Sequence, residues 1–200
     1  MRVPFIQHDH ISPTGPADAP DTDGTASPAA LSQEYRTLAV TEAAVNERLA
    51  GMTLDMPAMA AVSNVYRAAG AIRNHFEHTV LAPYNLTWTG WVVLWVVWIW
   101  QEIETRHVAA EAGISKGTLT GVASTLEKLG LVTRRVHPDD GRRVLLSLTP
   151  AGLTLMAELF PQFNKQEALV VESLSPDEIQ MLAGALRKIV TGLEGGPAPA

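Results

Sequence analysis

The side chains best placed to do chemistry fall into three groups. Four arginines, Arg134, Arg135, Arg142 and Arg143, crowd a short stretch around Asp139, Asp140 and Gly141. Guanidinium groups at that density suit phosphate oxygens, or a duplex minor groove, whose negative potential attracts arginine. Ahead of them, Ser115, Lys116, Thr118, Thr120 and Ser124 supply one cation and four hydroxyls. Lys116, Thr120 and Ser124 recur every four residues, which places them along one side of a helix. With the small Gly117 and Gly121 beside them, they suit close approach to phosphates and base edges. The third group is a tryptophan stripe. Trp88, Trp91, Trp95 and Trp98 lie three, four and three apart. Two readings stand: the stripe is helix core, or Trp88, Trp91 and Trp95 line an aromatic pocket with Arg73, His75 and Phe76 opposite. In the second reading Arg73 pairs with a ligand carboxylate.

Other chemistry is thinly represented. His75 and His78 have a spacing compatible with zinc, but no third ligand is evident. His8 and His10 belong to a polar tail and read as ordinary tail residues. His107 reads as a surface or phosphate-facing residue. No metal or cofactor is expected. There is no nucleophile elbow, phosphate loop or dinucleotide fingerprint, so an enzyme is not expected. The 200 residues contain no cysteine, which excludes disulfides, thiolate metal sites and thiol nucleophiles.

These groups must be positioned by folded elements. A chain this long, 46 % hydrophobic, can bury a core without staples. Residues 1–30, rich in Pro, Asp, Gly, Ser and Thr, read as a flexible tail, and 195–200 as a fraying end. Helices are predicted over 32–50, with Ser32 as cap, and over 56–81, ended by Pro83. A third, 87–102, is apolar on nearly every side. Its Trp88–Trp100 run is 13 residues long, too short for a spanning helix of about 20 residues. A soluble cytoplasmic protein is the expectation. Two shorter helices follow, 106–112 and 116–129, with Ala109 at their contact and Gly113 at the turn between them. Strand-like runs 131–136 and 143–148 flank a turn signal at 137–141, with Arg142 and Arg143 at the tip, next to an Asp140-Gly141 turn. Helices 151–171 and 176–193 complete the chain. Thr149-Pro150 opens the first, and Ser175 with Glu178 forms a capping box for the second.

A helix-turn-helix followed at once by a hairpin is a winged helix. Residues 106–143 hold seven Lys/Arg against four Asp/Glu, a local +3 within a chain of net charge −6. A basic segment in an acidic protein fits local DNA binding. A winged helix that binds protein instead is the alternative. Steep salt dependence separates the two, because phosphate contacts release counterions.

The segments Ser115-Lys116-Gly117-Thr118-Leu119-Thr120, Leu126-Glu127-Lys128-Leu129-Gly130-Leu131-Val132, Asp140-Gly141-Arg142 and Leu148-Thr149-Pro150-Ala151-Gly152 resemble the MarR family of transcriptional regulators. The resemblance covers about residues 56–193. It implies a mainly α, homodimeric winged helix-turn-helix regulator, with an interlocked body of terminal helices and a two-stranded wing. It further implies a palindromic operator in double-stranded DNA, most commonly repression, and release by a small aromatic or phenolic ligand. The additional helix at 32–50 is similar to that of the family's urate-responsive branch. That branch's urate contacts are not matched: Val92 stands where it has Asp, and Gly121 where it has Arg. The layout expected is tail 1–30, dimerisation helices 31–85, DNA-binding domain 86–149, dimerisation helices 150–194 and tail 195–200.

Overall fold

The structure, a computed structural model, describes residues 37–194. The two predicted tails, with His8, His10 and the expected cap Ser32, lie outside the described residues. The chain divides into two compact units, one ending at Leu54 and the other starting at Asp55.

The described part of the first unit holds α1, Leu38–Arg48. Its cap is Thr37, whose hydroxyl accepts from the Val40 N–H at 3.4 Å. None of its residues is buried.

In the second unit, Asp55 caps α2, Met56–Phe76, accepting from the Ala58 N–H at 2.9 Å. The apolar periodicity predicts one helix to residue 81. The α-helix instead ends at Phe76 and passes into a π turn, Glu77–Leu81, and a 3-10 turn, Ala82–Tyr84. This widening buries Val80 and Leu81. It also brings the Glu77 carboxylate to the Trp88 N–H at 2.7 Å, at the start of the next helix. That helix, α3, runs from Trp88 to Trp100 and is capped by Thr87. It packs against elements on several sides, as its all-round apolarity predicts. One edge stays open: Trp95, Ile99 and Trp100 are exposed. Gln101, with φ of +63°, turns the chain out of the helix.

The turn leads into a short strand that the sequence pattern does not announce, β1, Glu102–Glu104. Next come α4, Thr105–Glu111, and α5, Lys116–Lys128. Val108 and Ala109 are buried at the junction of the two helices, and Gly113 takes a φ of +63° at the turn. A left-handed conformation of that kind favours glycine. The hairpin strands are β2, Val132–His137, and β3, Asp140–Leu148. The sheet order is β1-β3-β2, all antiparallel. The expected two-stranded wing is therefore the outer part of a three-stranded sheet.

Two long helices close the unit, α6, Pro150–Val170, and α7, Pro176–Glu194. The Thr149-Pro150-Ala151-Gly152 start of α6 has a physical reason. The Thr149 N–H donates to Leu131 O at 3.0 Å and its hydroxyl to Gly130 O at 2.5 Å. The same hydroxyl accepts from the Gly152 N–H at 3.0 Å. A Cβ on residue 152 would stand 2.1 Å from Leu131 O, so only glycine fits. The core joins Phe76, Leu81, Leu94, Val97, Val108, Leu119, Leu126, Leu146, Met156 and Leu159. No single described helix is long and apolar enough to cross a membrane.

Candidate nucleic-acid interface and aromatic cleft

Ser115 caps α5, accepting from the Thr118 N–H at 3.0 Å, and the Thr118 hydroxyl lies 2.8 Å from the Ser115 hydroxyl. The Thr120 hydroxyl donates to Lys116 O at 2.9 Å. Leu119, Ala123 and Leu126 bury the inner face of α5. The outer face carries Lys116, Gly117, Thr120 and Gly121, all exposed, with Ser124 half-buried. The space around Gly121 is open: a methyl group added at its Cα would meet nothing within 4 Å. Of the predicted α5 contacts, Ser115 and Thr118 therefore spend hydroxyl capacity on the cap, while Lys116 projects free.

The arginines do not stand free in the same way. Arg135 Nε donates to Glu102 Oε1 at 2.5 Å, and its Nη2 pairs with Glu102 Oε2. That hydrogen bond holds the Glu102 carboxyl below the ordinary carboxylate range and pushes the Arg135 guanidinium up. Arg134 Nη2 donates to Thr120 O at 3.4 Å, and its Nε lies 3.3 Å from Glu127 Oε2. Arg143 Nη2 pairs with Glu104 Oε1, while Glu104 Oε2 holds Arg106 Nε at 2.8 Å. Only 9 % of Glu104 is exposed. Arg142 is exposed and has no acidic partner among the described residues; its backbone N–H donates to Asp140 Oδ1 at 3.0 Å.

Two sequence expectations are corrected here. The wing turn is Pro138-Asp139, not Asp140-Gly141, because His137 pairs with Asp140. The register then jumps to Val136 with Val144, so Gly141, Arg142 and Arg143 bulge from β3 rather than flank the tip. A bulge re-aims side chains, and here it carries both arginines. The charge count also changes. Strand β1 brings Glu102 and Glu104 against the wing, and counting from residue 102 lowers the local excess from +3 to +1. Around a hollow of about 380 Å³ the structure gathers Lys116, Thr120, Arg134, Arg142 and Arg143 with Glu104, Thr105 and Arg106. Sequence reasoning misses Glu104 and Thr105 and takes Arg106 only into the local charge. The signal for Glu104 is the Glu-x-Glu of 102–104, which alternates as a strand does but follows directly on a long helical run.

A second hollow, about 350 Å³, is lined by Trp88, Trp91, Val92, Trp95, Phe160, Phe163 and Glu167. The structure thus brings Trp88, Trp91 and Trp95 together as one wall. The opposite wall is α6, not α2. Trp91 stacks on Phe163 with centroids 4.3 Å apart. Phe76 is buried behind them, 4.2 Å from Phe163. Arg73 and His75 do not reach this cleft. Ile72 and Phe76 turn toward the core, and Arg73, one residue or about 100° past Ile72 on a helix, is exposed. His75 Nε2 lies 2.9 Å from Gln166 Oε1 in a different hollow, and His78 Nδ1 lies 2.6 Å from Asn74 O. The two histidines therefore serve separate partners. Phe160, Phe163 and Glu167 repeat at helical spacing, a stripe visible in sequence whose opposite partner is not.

A helix-turn-helix with an open outer face on its second helix, followed by an arginine-bearing wing, defines a winged helix-turn-helix protein. The MarR family profile matches residues 86–144. The uncharacterized HTH-type transcriptional regulator YwaE of Bacillus subtilis is 36 % identical over 141 residues, 70 % of this chain and 82 % of YwaE. The structure of BpsR from Bordetella bronchiseptica, whose DNA binding is regulated by 6-hydroxynicotinic acid, is similar with a TM-score of 0.61. Its identity is 25 %, covering 65 % of this chain and 98 % of BpsR. A MarR variant from E. coli complexed with operator DNA shares the fold, with a TM-score of 0.62 at 20 % identity over 69 % of this chain and 99 % of that one. The chain belongs to the MarR family and is a DNA-binding transcriptional regulator.

Proposed function

We propose that the protein is a homodimeric repressor that reads a palindromic operator and is released by a small aromatic ligand. The observation that carries the DNA reading is the uncovered, small-residue face of α5 beside the cationic hollow. Lys116, Thr120 and Ser124 would meet the major groove, with Ser115 and Thr118 at the helix start. Arg142 would meet backbone or minor groove. Arg134, Arg135 and Arg143, each held by a carboxylate, would present pre-oriented guanidinium edges. In a dimer the two α5 helices would read half-sites about one helical turn, roughly 10 bp, apart.

The dimer reading is supported by apolar faces left open in the single chain. On α7, Met181, Leu182, Leu186, Ile189, Val190 and Leu193 are exposed, and on α2, Val62, Val65 and Tyr66. Exposed apolar area of that extent marks an interface. Residues 31–85 and 150–194 would form the dimer body around a DNA-binding domain at 86–149. Such a regulator would work in the cytoplasm, where the chromosome is. The ligand reading is supported by the tryptophan cleft, between helices of both parts, and by the behaviour stated for BpsR.

The test is titration of labelled duplex from upstream of the protein's own gene at two salt concentrations. Tight binding that weakens steeply with salt, unmatched by an unrelated duplex, is the expected result. Salt-insensitive or equally weak binding to both duplexes would favour a protein-binding winged helix instead.

A further inference from the structure

Resting on the reading of the tryptophan cleft as the effector site, we infer that the cleft selects an aromatic or quaternary organic cation over an aromatic acid. The walls are π surfaces: Trp88, Trp91 and Trp95 from α3, Phe160 and Phe163 from α6. Trp95 is 41 % exposed and forms an accessible edge, while Trp91 is locked against Phe163. Glu167 is the one ionisable group on the lining. Glu167 is exposed at the rim of the cleft, where the Asn164 side-chain amide donates to its Oε2 at 2.9 Å and leaves the other oxygen open to a ligand.

The sign of charge follows from this inventory. A carboxylate ligand would give up part of its hydration, find no Lys, Arg or His on the walls, and meet a like charge at Glu167. Arg73, the cation that a carboxylate ligand would need, lies away from the cleft. A neutral aromatic ring gains stacking alone. An organic cation gains the faces of electron-rich indoles and the Glu167 carboxylate together. The net charge of −6 adds a long-range bias of the same sign. The cleft, about 350 Å³, has room for a ring bearing an ammonium head.

The experiment is calorimetric titration of the purified full chain with three probes at one ionic strength: benzyltrimethylammonium, benzyl alcohol and benzoate. Benzyltrimethylammonium should bind at least about tenfold more tightly than benzoate, a difference on the scale of a partly desolvated cation–π contact. Glu167→Gln should weaken the cation several-fold and leave benzyl alcohol unchanged. Trp95→Ala should weaken the cation and benzyl alcohol, and the exposure of Trp95 makes that variant compatible with folding. Benzoate binding as tightly as the cation, with loss in Trp95→Ala, would overturn the charge selection and leave the cleft standing as an effector site. Absence of binding by all three probes, or binding indifferent to Trp95→Ala, would sink the effector-site reading and the inference with it.

Discussion

Glu104 lies buried under the wing with one carboxylate oxygen on the Arg143 guanidinium and the other on Arg106. The pairing is possible because Glu104 on β1 stands opposite Leu145 on β3, and Arg143 lies two residues before Leu145. One acid therefore orients two cations at the hollow beside Lys116 and Thr120 of α5. Glu104→Ala should cost about 1–3 kcal/mol. That is below the cost of breaking a fully buried pair, because Arg143 remains about one-third exposed. Urea unfolding measures the loss, and an unchanged midpoint would show that the pair is incidental.

Arg142 and Arg135 should behave differently on DNA, although both are exposed wing arginines. Arg142 has no acidic partner among the described residues, whereas Arg135 is held by Glu102. Arg142→Ala should weaken operator binding and lower the log–log salt slope by about one unit, the signature of a lost phosphate contact. Arg135→Ala should have the smaller effect, since a pre-neutralised cation releases fewer counterions. Sedimentation should show the assembly state of both variants unchanged. Equal salt slopes for the two variants would contradict the ordering.

Gly152→Ala should destabilise the joint between wing and α6. The added methyl would meet Leu131 O at 2.1 Å, a backbone atom that cannot rotate away. Overpacking of this kind costs about 1–3 kcal/mol. Thermal unfolding should show a lower midpoint; a midpoint equal to the parent would mean that β2 can move without penalty.

The start of α7 should respond to acid. The Ser175 backbone N–H, and then its hydroxyl, donate to Glu178 and hold that carboxyl below its ordinary value. A depressed native pKa stabilises the fold above the unfolded value, and that contribution is lost as pH falls through the native value. The first turn of α7 should therefore loosen only on acidification below the ordinary glutamate range. Amide exchange at residues 176–179, followed against pH, should show it, and Glu178→Gln should flatten the profile. A profile unchanged by that substitution would remove the capping box as the cause.

Local signals in this chain are legible because local physics decides them. Thr87, Ser115, Thr149 and Ser175 each satisfy an orphan N–H three residues on, so cap identity marks these four helix starts. Gly113 marks its turn, and the tryptophan spacing marks the aromatic wall. The helix-turn-helix and wing follow from those signs in order. What sequence does not decide is which distant surfaces meet. Three-residue β1 is too short to carry a periodic pattern, and its pairing with β3 lies more than forty positions away in the chain. That pairing delivers Glu102 to Arg135 and Glu104 to Arg143, and so holds two of the wing arginines. The same holds for the cleft. The Phe160-Phe163-Glu167 stripe marks one face of α6, buried at Phe163 and exposed at Glu167, but only packing sets it beside the tryptophans of α3 as well as against Phe76 of α2. That choice gives the cleft a carboxylate and leaves Arg73 outside. Helix starts depend on hydrogen bonds a few residues long; site charge depends on contacts closed by the whole fold.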